Sequence, residues 1–369
     1  RSFLTEEWLK PSKIPRSGTP HLPYSGVSRH TSSLASPSAP SYIAVMRASF
    51  FAAALVLSAG TLAFFVYTPM PSDTRDDITV VPLPPMKPPR AEIIFGGDMM
   101  FDRFIRVTTE KNGGDFIFSC LEPLFRSADM VVANLEGPIT RSASVSVGTK
   151  PQEADNFAFT FPTSTARLLA RHNILAISTG NNHIRNFGRE GAEETAQYLR
   201  EAGVGFAGDL PHPATFEMKI RGVPLALISY NEFSAGYGSA STTLGEIAAA
   251  RVRGYLPVVF AHWGVEYATT SSAYSRELAH SFVDAGAEIV VGAHPHVVQE
   301  HEVYGSATLA TGGGKHIYYS LGNLIFDQYW NERVRAGLLL NVVFGANGVE
   351  SIEELPVHLE RDGRTCPVL

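Results

Sequence analysis

The stretch that decides the fold runs from Ala287 to Tyr304, "AEIVVGAHPHVVQEHEVY". Its first part is apolar and β-branched, the composition of a strand buried on both faces. It then delivers two histidines, His294 and His296, on either side of Pro295. They are either ordinary loop histidines or two ligands aimed at a metal. In an extended segment residues i and i+2 point to the same side. Both imidazoles can then reach one site, with the proline stiffening the segment between them.

The same pattern recurs outward along the chain. "EIIFGGD" (92–98), "ADMVVANLEG" (128–137), "ILAISTGNN" (174–182), "PLALISYN" (224–231), "YLPVVFAHWG" (255–264) and "HIYYSLGN" (316–323) read as strands. Between them, "TSTARLLARHN" (163–173), "GREGAEETAQYLREAG" (188–203) and "AYSRELAHSFVDAG" (273–286) carry helical periodicity. Strands alternating with helices predict an α/β layered domain. Five of the strands end in polar groups: Asp98, Asn134 to Glu136, Asn181 to His183, His262, and His294 to His296. Ligands of α/β sheets bind in the crevice at the carboxyl ends of strands. A mixed set of oxygen and imidazole donors there suits a divalent ion such as Mn, Fe, Zn or Mg.

Taken singly, most of these residues have plainer readings. Asp98 could close a turn, "GNNH" (180–183) could be an Asx turn, and His262 could be a satisfied core histidine. Glu136 follows a buried run, where a carboxylate needs a cation, hydrogen bonds or water. Their shared position at strand ends favours a metal centre.

Composition bounds the rest. The 369 residues are 44% hydrophobic, enough for one large core or two ordinary domains. Residues 1–47 hold six bases and two acids (6 − 2 = +4), and 48–90 hold three of each. The remainder is therefore −6 − 4 − 0 = −10. An acidic body excludes a nucleic-acid footprint. Two cysteines, Cys120 and Cys366, make no disulfide framework and leave the compartment open.

From Ala48 to Ser72 no residue is charged, and "ASFFAAALVLSAGTLAFFVY" (48–67) is long enough to cross a membrane. This predicts a transmembrane signal anchor over 47–68, with a cleaved signal peptide as the rival. The bases before it place the N-terminus in the cytoplasm and the bulk outside the cell membrane. Residues 1–46 are Ser- and Pro-rich and expected to be disordered. "MRASFF" at Met46 reads as a natural start, so 1–45 are expected to be absent from the native protein; a native peptide from that range would refute this. A Pro-rich linker, 69–90, then leads into a folded domain, 91–369. "TGGGKH" (311–316) lacks the spacing of a P-loop and reads as a surface turn.

Six motifs occur in order: "GGDMMFDR", "VVANLEGPIT", "GNNHIRNFG", "FAHWGVEY", "DAGAEIVVGAHPHVVQ" and "YYSLGNLIFDQ". Together they resemble the bacterial CapA-type poly-γ-glutamate capsule synthesis protein family, over about residues 92–329. That family resembles calcineurin-like metallophosphoesterases, which implies a four-layered α/β/β/α sandwich. The resemblance makes Asp98, Glu136, Asn182, His262, His294 and His296 metal ligands, with Glu136 bridging, and His183 the proton donor to a leaving group. Asp102, Asn134, Glu266 and Asn323 are candidates for support. Two departures stand out: Met100 occupies a position where the phosphoesterases carry a histidine, and Asn186 one where the family often has an acid. One or two divalent ions would activate water and neutralise an anionic transition state. The implied protein is membrane-anchored and works on capsule or another anionic envelope substrate, beside synthase subunits. It is either a metal-dependent hydrolase or a non-catalytic subunit that binds polymer.

Overall fold

Parallel strands need crossover connections, and helices between apolar runs supply them. In the computed structural model, described over residues 88–151, 153–211, 215–234, 239–305 and 313–368, the elements follow in chain order. They are β1 (Ala91–Met99), α1 (Arg103–Asn112), α2 (Glu122–Ser127), β2 (Met130–Leu135), α3 (Thr165–Arg171), β3 (Ile174–Ser178), α4 (Gly188–Ala202), β4 (Gly205–Ala207), β5 (Thr215–Ile220) and β6 (Val223–Asn231). There follow α5 (Ala240–Val252), β7 (Leu256–His262), α6 (Ala273–Asp284), β8 (Ile289–Ala293), β9 (His301–Tyr304), β10 (Lys315–Tyr318), β11 (Asn323–Ile325), α7 (Glu332–Arg335), β12 (Ala336–Gly345), β13 (Gly348–Leu359) and β14 (Thr365–Pro367). The expected anchor, the N-terminal segment and most of the Pro-rich linker lie outside the described residues. Among those described, no helix is long and apolar enough to cross a membrane.

Two mixed sheets result. The first runs β14-β13-β12-β1-β2-β3-β4, with β11 also paired to β1; the second runs β5-β6-β7-β8-β10-β9. Within them β1-β2-β3-β4 and β6-β7-β8-β10 are parallel. Their carboxyl ends carry the polar residues expected from the sequence. Three apolar cores hold the layers together. Residues from α1 to α4 pack on one face of the first sheet. Phe95, Val132, Phe260, Val291 and Leu340 fill the space between the sheets. Ile247, Leu278 and Phe282 of α5 and α6 cover the outer face of the second sheet. The order is helix, sheet, sheet, helix.

Two glycines permit close approaches that aim the site. A Cβ at Gly97 would sit 1.8 Å from the Gly322 carbonyl oxygen. Bareness there lets β11 lie against the end of β1, and the register of β1 on β2 shifts between Phe95 and Asp98. That irregularity re-aims Asp98. A Cβ at Gly292 would sit 1.9 Å from the Tyr319 carbonyl oxygen.

The sequence left the pairing of its two cysteines open. Cys120 and Cys366 form a disulfide that joins the layer before α2 to β14, across 246 residues of chain. No spacing rule reaches so far; only the pairing of β14 on β13 brings Cys366 back to the helical layer. Of "TGGGKH", Thr311 and Gly312 lie outside the described residues, while Lys315 and His316 open β10 instead of continuing the expected turn, and Lys315 Nζ lies 2.6 Å from the buried Glu288 carboxylate.

Candidate metal centre

Asp98, near the carboxyl end of β1, is fully buried. Its Oδ1 accepts from Asn134 Nδ2 at 2.7 Å, and its Oδ2 from the His294 backbone N–H at 2.9 Å. His296 Nδ1 is 3.4 Å from Oδ2, and His262 Nδ1 is 3.8 Å from Oδ1. Burial pushes the Asp98 carboxyl up, but the His296 hydrogen bond and the surrounding imidazoles outweigh it and hold the group well below the usual carboxylate range.

Glu136, just past β2, is also fully buried. Its backbone N–H pairs with Met99 O at 2.9 Å. Neither of its carboxylate oxygens has a hydrogen-bond partner among the described residues. His296 Nε2 stands 3.6 Å away and His183 Nε2 3.8 Å. Burial, then the Asp98 charge, then that of exposed Glu266, raise its pKa well above the ordinary glutamate value. Two buried carboxylates side by side cannot both ionise cheaply without a cation.

The two histidines of the opening stretch reach the site by a route the sequence did not indicate. They are not extended. His294 has φ 95° and His296 φ 57°, both left-handed. The chain turns at each, so the i, i+2 argument fails while its consequence, two rings in one site, holds. His296 Nδ1 bonds Asn323 Oδ1 at 2.9 Å. The Asn323 amide nitrogen donates to Val334 O at 3.0 Å and Gln328 Oε1 at 3.1 Å, so its oxygen faces the ring. His296 therefore carries its proton on Nδ1 and offers the Nε2 lone pair towards Glu136, the usual outer support of a metal-bound histidine. Asp98, Glu136 and His296 each offer one donor atom, all within 4.8 Å of one another.

A second group adjoins the first. His262 Nε2 lies 3.2 Å from His294 Nδ1 and 2.9 Å from Asn182 Oδ1. Burial pushes the His262 ring well below its ordinary pKa and that of His294 down to about 4, so both are neutral and able to ligate. All six sequence-predicted ligands thus share one region, split into a trio around Glu136 and a trio around His262, with Asp98 between them.

The other predicted residues divide. Asn134 links Asp98 to Asn181, whose Nδ2 donates to Asn134 Oδ1 at 3.1 Å. Asp102 is spent elsewhere: its carboxylate takes the Arg106 guanidinium at 2.9 Å and the Thr160 N–H at 2.9 Å. Met100 is buried among core side chains, so the position of the expected histidine is filled by packing. His183 Nδ1 bonds Asn186 Oδ1 at 3.1 Å, and that oxygen also accepts the Phe159 N–H. The shared oxygen fixes the His183 proton on Nδ1 and leaves Nε2 as an acceptor facing Glu136. Burial pushes the His183 pKa down to about 4.

Sequence reasoning missed the aromatic walls. Phe159 lies 4.4 Å from the His183 ring and Phe326 4.8 Å from that of His296. The Arg103 guanidinium covers both phenyl rings, at 5.0 and 5.5 Å, while pairing with Asp327. Arg103 and Phe326 sat inside quoted motifs; nothing in their spacing marks them as neighbours.

Residues 92–328 match the family described as bacterial capsule synthesis protein PGA_cap. The chain belongs to this family. The PGA_cap assignment agrees with its relatives. It is 31% identical to the PGA biosynthesis protein CapA of Bacillus subtilis (strain 168) over 283 residues, 72% of this chain and 70% of that one. It is 28% identical to the capsule biosynthesis protein CapA of Bacillus anthracis over 293 residues, 74% and 68% of the two chains. Among solved structures, this PGA_cap chain is similar to a Mycoplasma pneumoniae protein described as a novel phosphatase, with TM-score 0.46, 12% identity, and 74% and 95% coverage. It is also similar to TT1561 of Thermus thermophilus, with TM-score 0.39, 14% identity, and 72% and 97% coverage.

Proposed function

We propose that this capsule-synthesis family member is a metal-dependent hydrolase acting on a phosphoester or similarly anionic envelope substrate. The observation that carries the reading is Glu136: a fully buried carboxylate with neither oxygen hydrogen-bonded among the described residues, facing Asp98 and the free Nε2 of His296. Such a group is costly to bury unless a cation completes it. Asp98, Glu136 and His296 would hold one divalent ion, and Asn182, His262 and His294 a second, weaker one. Ions there would supply Lewis-acid polarisation of the anionic centre. The chain's own groups then orient and dehydrate the substrate. Asn323 and Asn134 fix His296 and Asp98. Neutral His183 presents a lone pair at Nε2; its role is to accept a proton at that atom and return it to the leaving group.

The localisation belongs to the same proposal. The 48–67 segment supports an anchor, and a disulfide suits an oxidising compartment outside the cytoplasm. Synthase subunits at the membrane are the expected neighbours.

A second reading, a non-catalytic subunit that binds anionic polymer, is favoured by Met100, whose packing leaves one half of the site a ligand short. Elemental analysis of the purified chain, followed by assay of a generic phosphodiester, separates the two. Hydrolysis lost in Glu136→Gln and in His183→Ala is expected. Bound metal with no turnover of any phosphoester would assign the polymer-binding role, and turnover unchanged by His183→Ala would remove His183 from the chemistry.

A further inference from the structure

Among the described residues, six non-glycine residues adopt left-handed backbone, and four of them surround the metal cluster: Arg103, Tyr267, His294 and His296. Strain of this kind collects where function over-determines the chain. The two histidines bring donor atoms to the site, and Arg103 braces its phenyl walls. Tyr267, with φ 64°, does neither. It is nevertheless held from both ends. Its N–H donates to Pro295 O at 2.8 Å, between the two site histidines. Its hydroxyl accepts from Gln328 Nε2 at 3.3 Å, and the Gln328 oxygen accepts from Asn323, the residue that orients His296.

The clamped ring lies 6.0 Å from that of His296 and is still 41% exposed. Trp330, 59% exposed, meets it edge-on at 5.5 Å. Phe233, 47% exposed, lies 4.4 Å from the His294 ring and 6.0 Å from that of His262. Tyr267 and Phe233 thus stand in water against the metal-site histidines, and Trp330 extends the apolar face outward from Tyr267, a grouping that marks a binding surface. Acids flank them. Exposed Glu232 precedes Phe233 and accepts the Gly264 N–H at 2.8 Å; exposed Glu266 precedes Tyr267. The Arg103 guanidinium is already engaged by Asp327 and Asn156. A polyanion would meet carboxylates here. A polyhydroxyl ring would instead stack its C–H face on the aromatic side chains, donate hydroxyl protons to the acids, and leave its one phosphate for the cation.

We propose that Tyr267, Trp330 and Phe233 form a ring-binding subsite, and that the substrate is a sugar phosphoester whose phosphate enters the metal cluster. The subsite rests on the metal-site reading above and narrows its substrate class.

Titration calorimetry of the manganese-loaded full chain tests it, with N-acetylglucosamine 1-phosphate, inorganic phosphate and a γ-linked glutamate hexamer as probes. The sugar phosphate should bind about tenfold tighter than inorganic phosphate, the size of one aromatic stacking contact. Trp330→Ala, at an exposed position, should cut that preference to below about threefold with manganese content kept. Tyr267→Phe, which keeps the ring, should preserve it. Equal affinities for sugar phosphate and phosphate, tightest binding by the glutamate hexamer, or a preference that survives both Trp330→Ala and Phe233→Ala would overturn the subsite while leaving the metal centre standing. A chain that binds no manganese would overturn the metal centre and the subsite together.

Discussion

Two buried glutamates stand at opposite ends of the parallel strands, and their surroundings differ in kind. Glu288 precedes β8, at its amino end. Its carboxylate takes Arg251 Nη2 at 2.6 Å, Lys315 Nζ at 2.6 Å and the Val349 N–H at 3.0 Å. Burial pushes its pKa up, but these partners bring it below the ordinary value. Glu136 follows β2, at its carboxyl end, has no close hydrogen bond to either oxygen among the described residues, only the His296 and His183 rings at 3.6 and 3.8 Å, and is raised instead. Both are desolvated. One is completed by cations of the chain itself, so it stabilises the fold. The other has no such ion pair with an Arg or Lys among the described residues, which is what the proposed metal would supply. The difference separates a structural ion pair from a candidate site better than burial alone.

The largest test of this contrast is mutational. Removing the charge at Glu288 leaves Arg251 and Lys315 without their shared partner, so Glu288→Gln should cost about 3 kcal/mol in chemical denaturation. Glu136→Gln should cost little or raise the stability of the metal-free chain, because it removes the cost of ionising a buried carboxyl beside Asp98. Equal losses in the two variants would erase the distinction.

Next comes pH. His183 and His294 are each depressed to about 4 from an ordinary 6.5, and His262 lies well below 6.5. A depressed pKa means stability that is present above 6.5 and lost as pH falls towards about 4, when the unfolded chain binds protons that the folded chain refuses. For His294 alone the loss approaches about 3 kcal/mol. Glu288, lowered from 4.5, adds its own loss only below that value, and Glu136, being raised, acts in the opposite sense, its share disappearing as pH rises through its shifted pKa. Melting temperatures of the metal-free chain should fall between pH 6.5 and 4.5, and His294→Asn should flatten that slope. A wild-type curve already flat across this window would contradict the neutral-histidine site.

Metal addition is the third test. An ion present at a hundred times its dissociation constant should stabilise the chain by about 2.7 kcal/mol, and Glu136→Gln should abolish the rise in melting temperature whereas Glu288→Gln should retain it. The smallest effect is at Asn323. Asn323→Ala frees the His296 ring and should weaken metal affinity by about tenfold, read by competition with a chelating dye. An unchanged affinity would mean His296 is oriented by other contacts.

Much of this was legible along the chain because continuous apolar β-branched runs, helical spacing and glycine turns are local signals. The strand ends announced Asp98, Glu136, Asn182, His262, His294 and His296 for the same reason: a polar residue directly after a buried run stands out without any knowledge of its neighbours. The helix-sheet-sheet-helix order followed from the family motifs and was met by the three cores. Other features were silent. The Cys120–Cys366 bond, the left-handed turns at the two histidines, the pairing of Asp102 with Arg106, and the aromatic group of Phe233, Tyr267 and Trp330 carry no spacing signature.

By itself, then, the sequence determined which residues end the strands and what chemistry their side chains own, because those properties belong to short segments. The tertiary structure alone decided which carboxylate is left without a hydrogen bond, which ring nitrogen keeps its lone pair, and which aromatic side chains stand beside the site histidines. Those depend on groups tens to hundreds of residues apart, and only the packing of one sheet upon another brings them within a few ångströms.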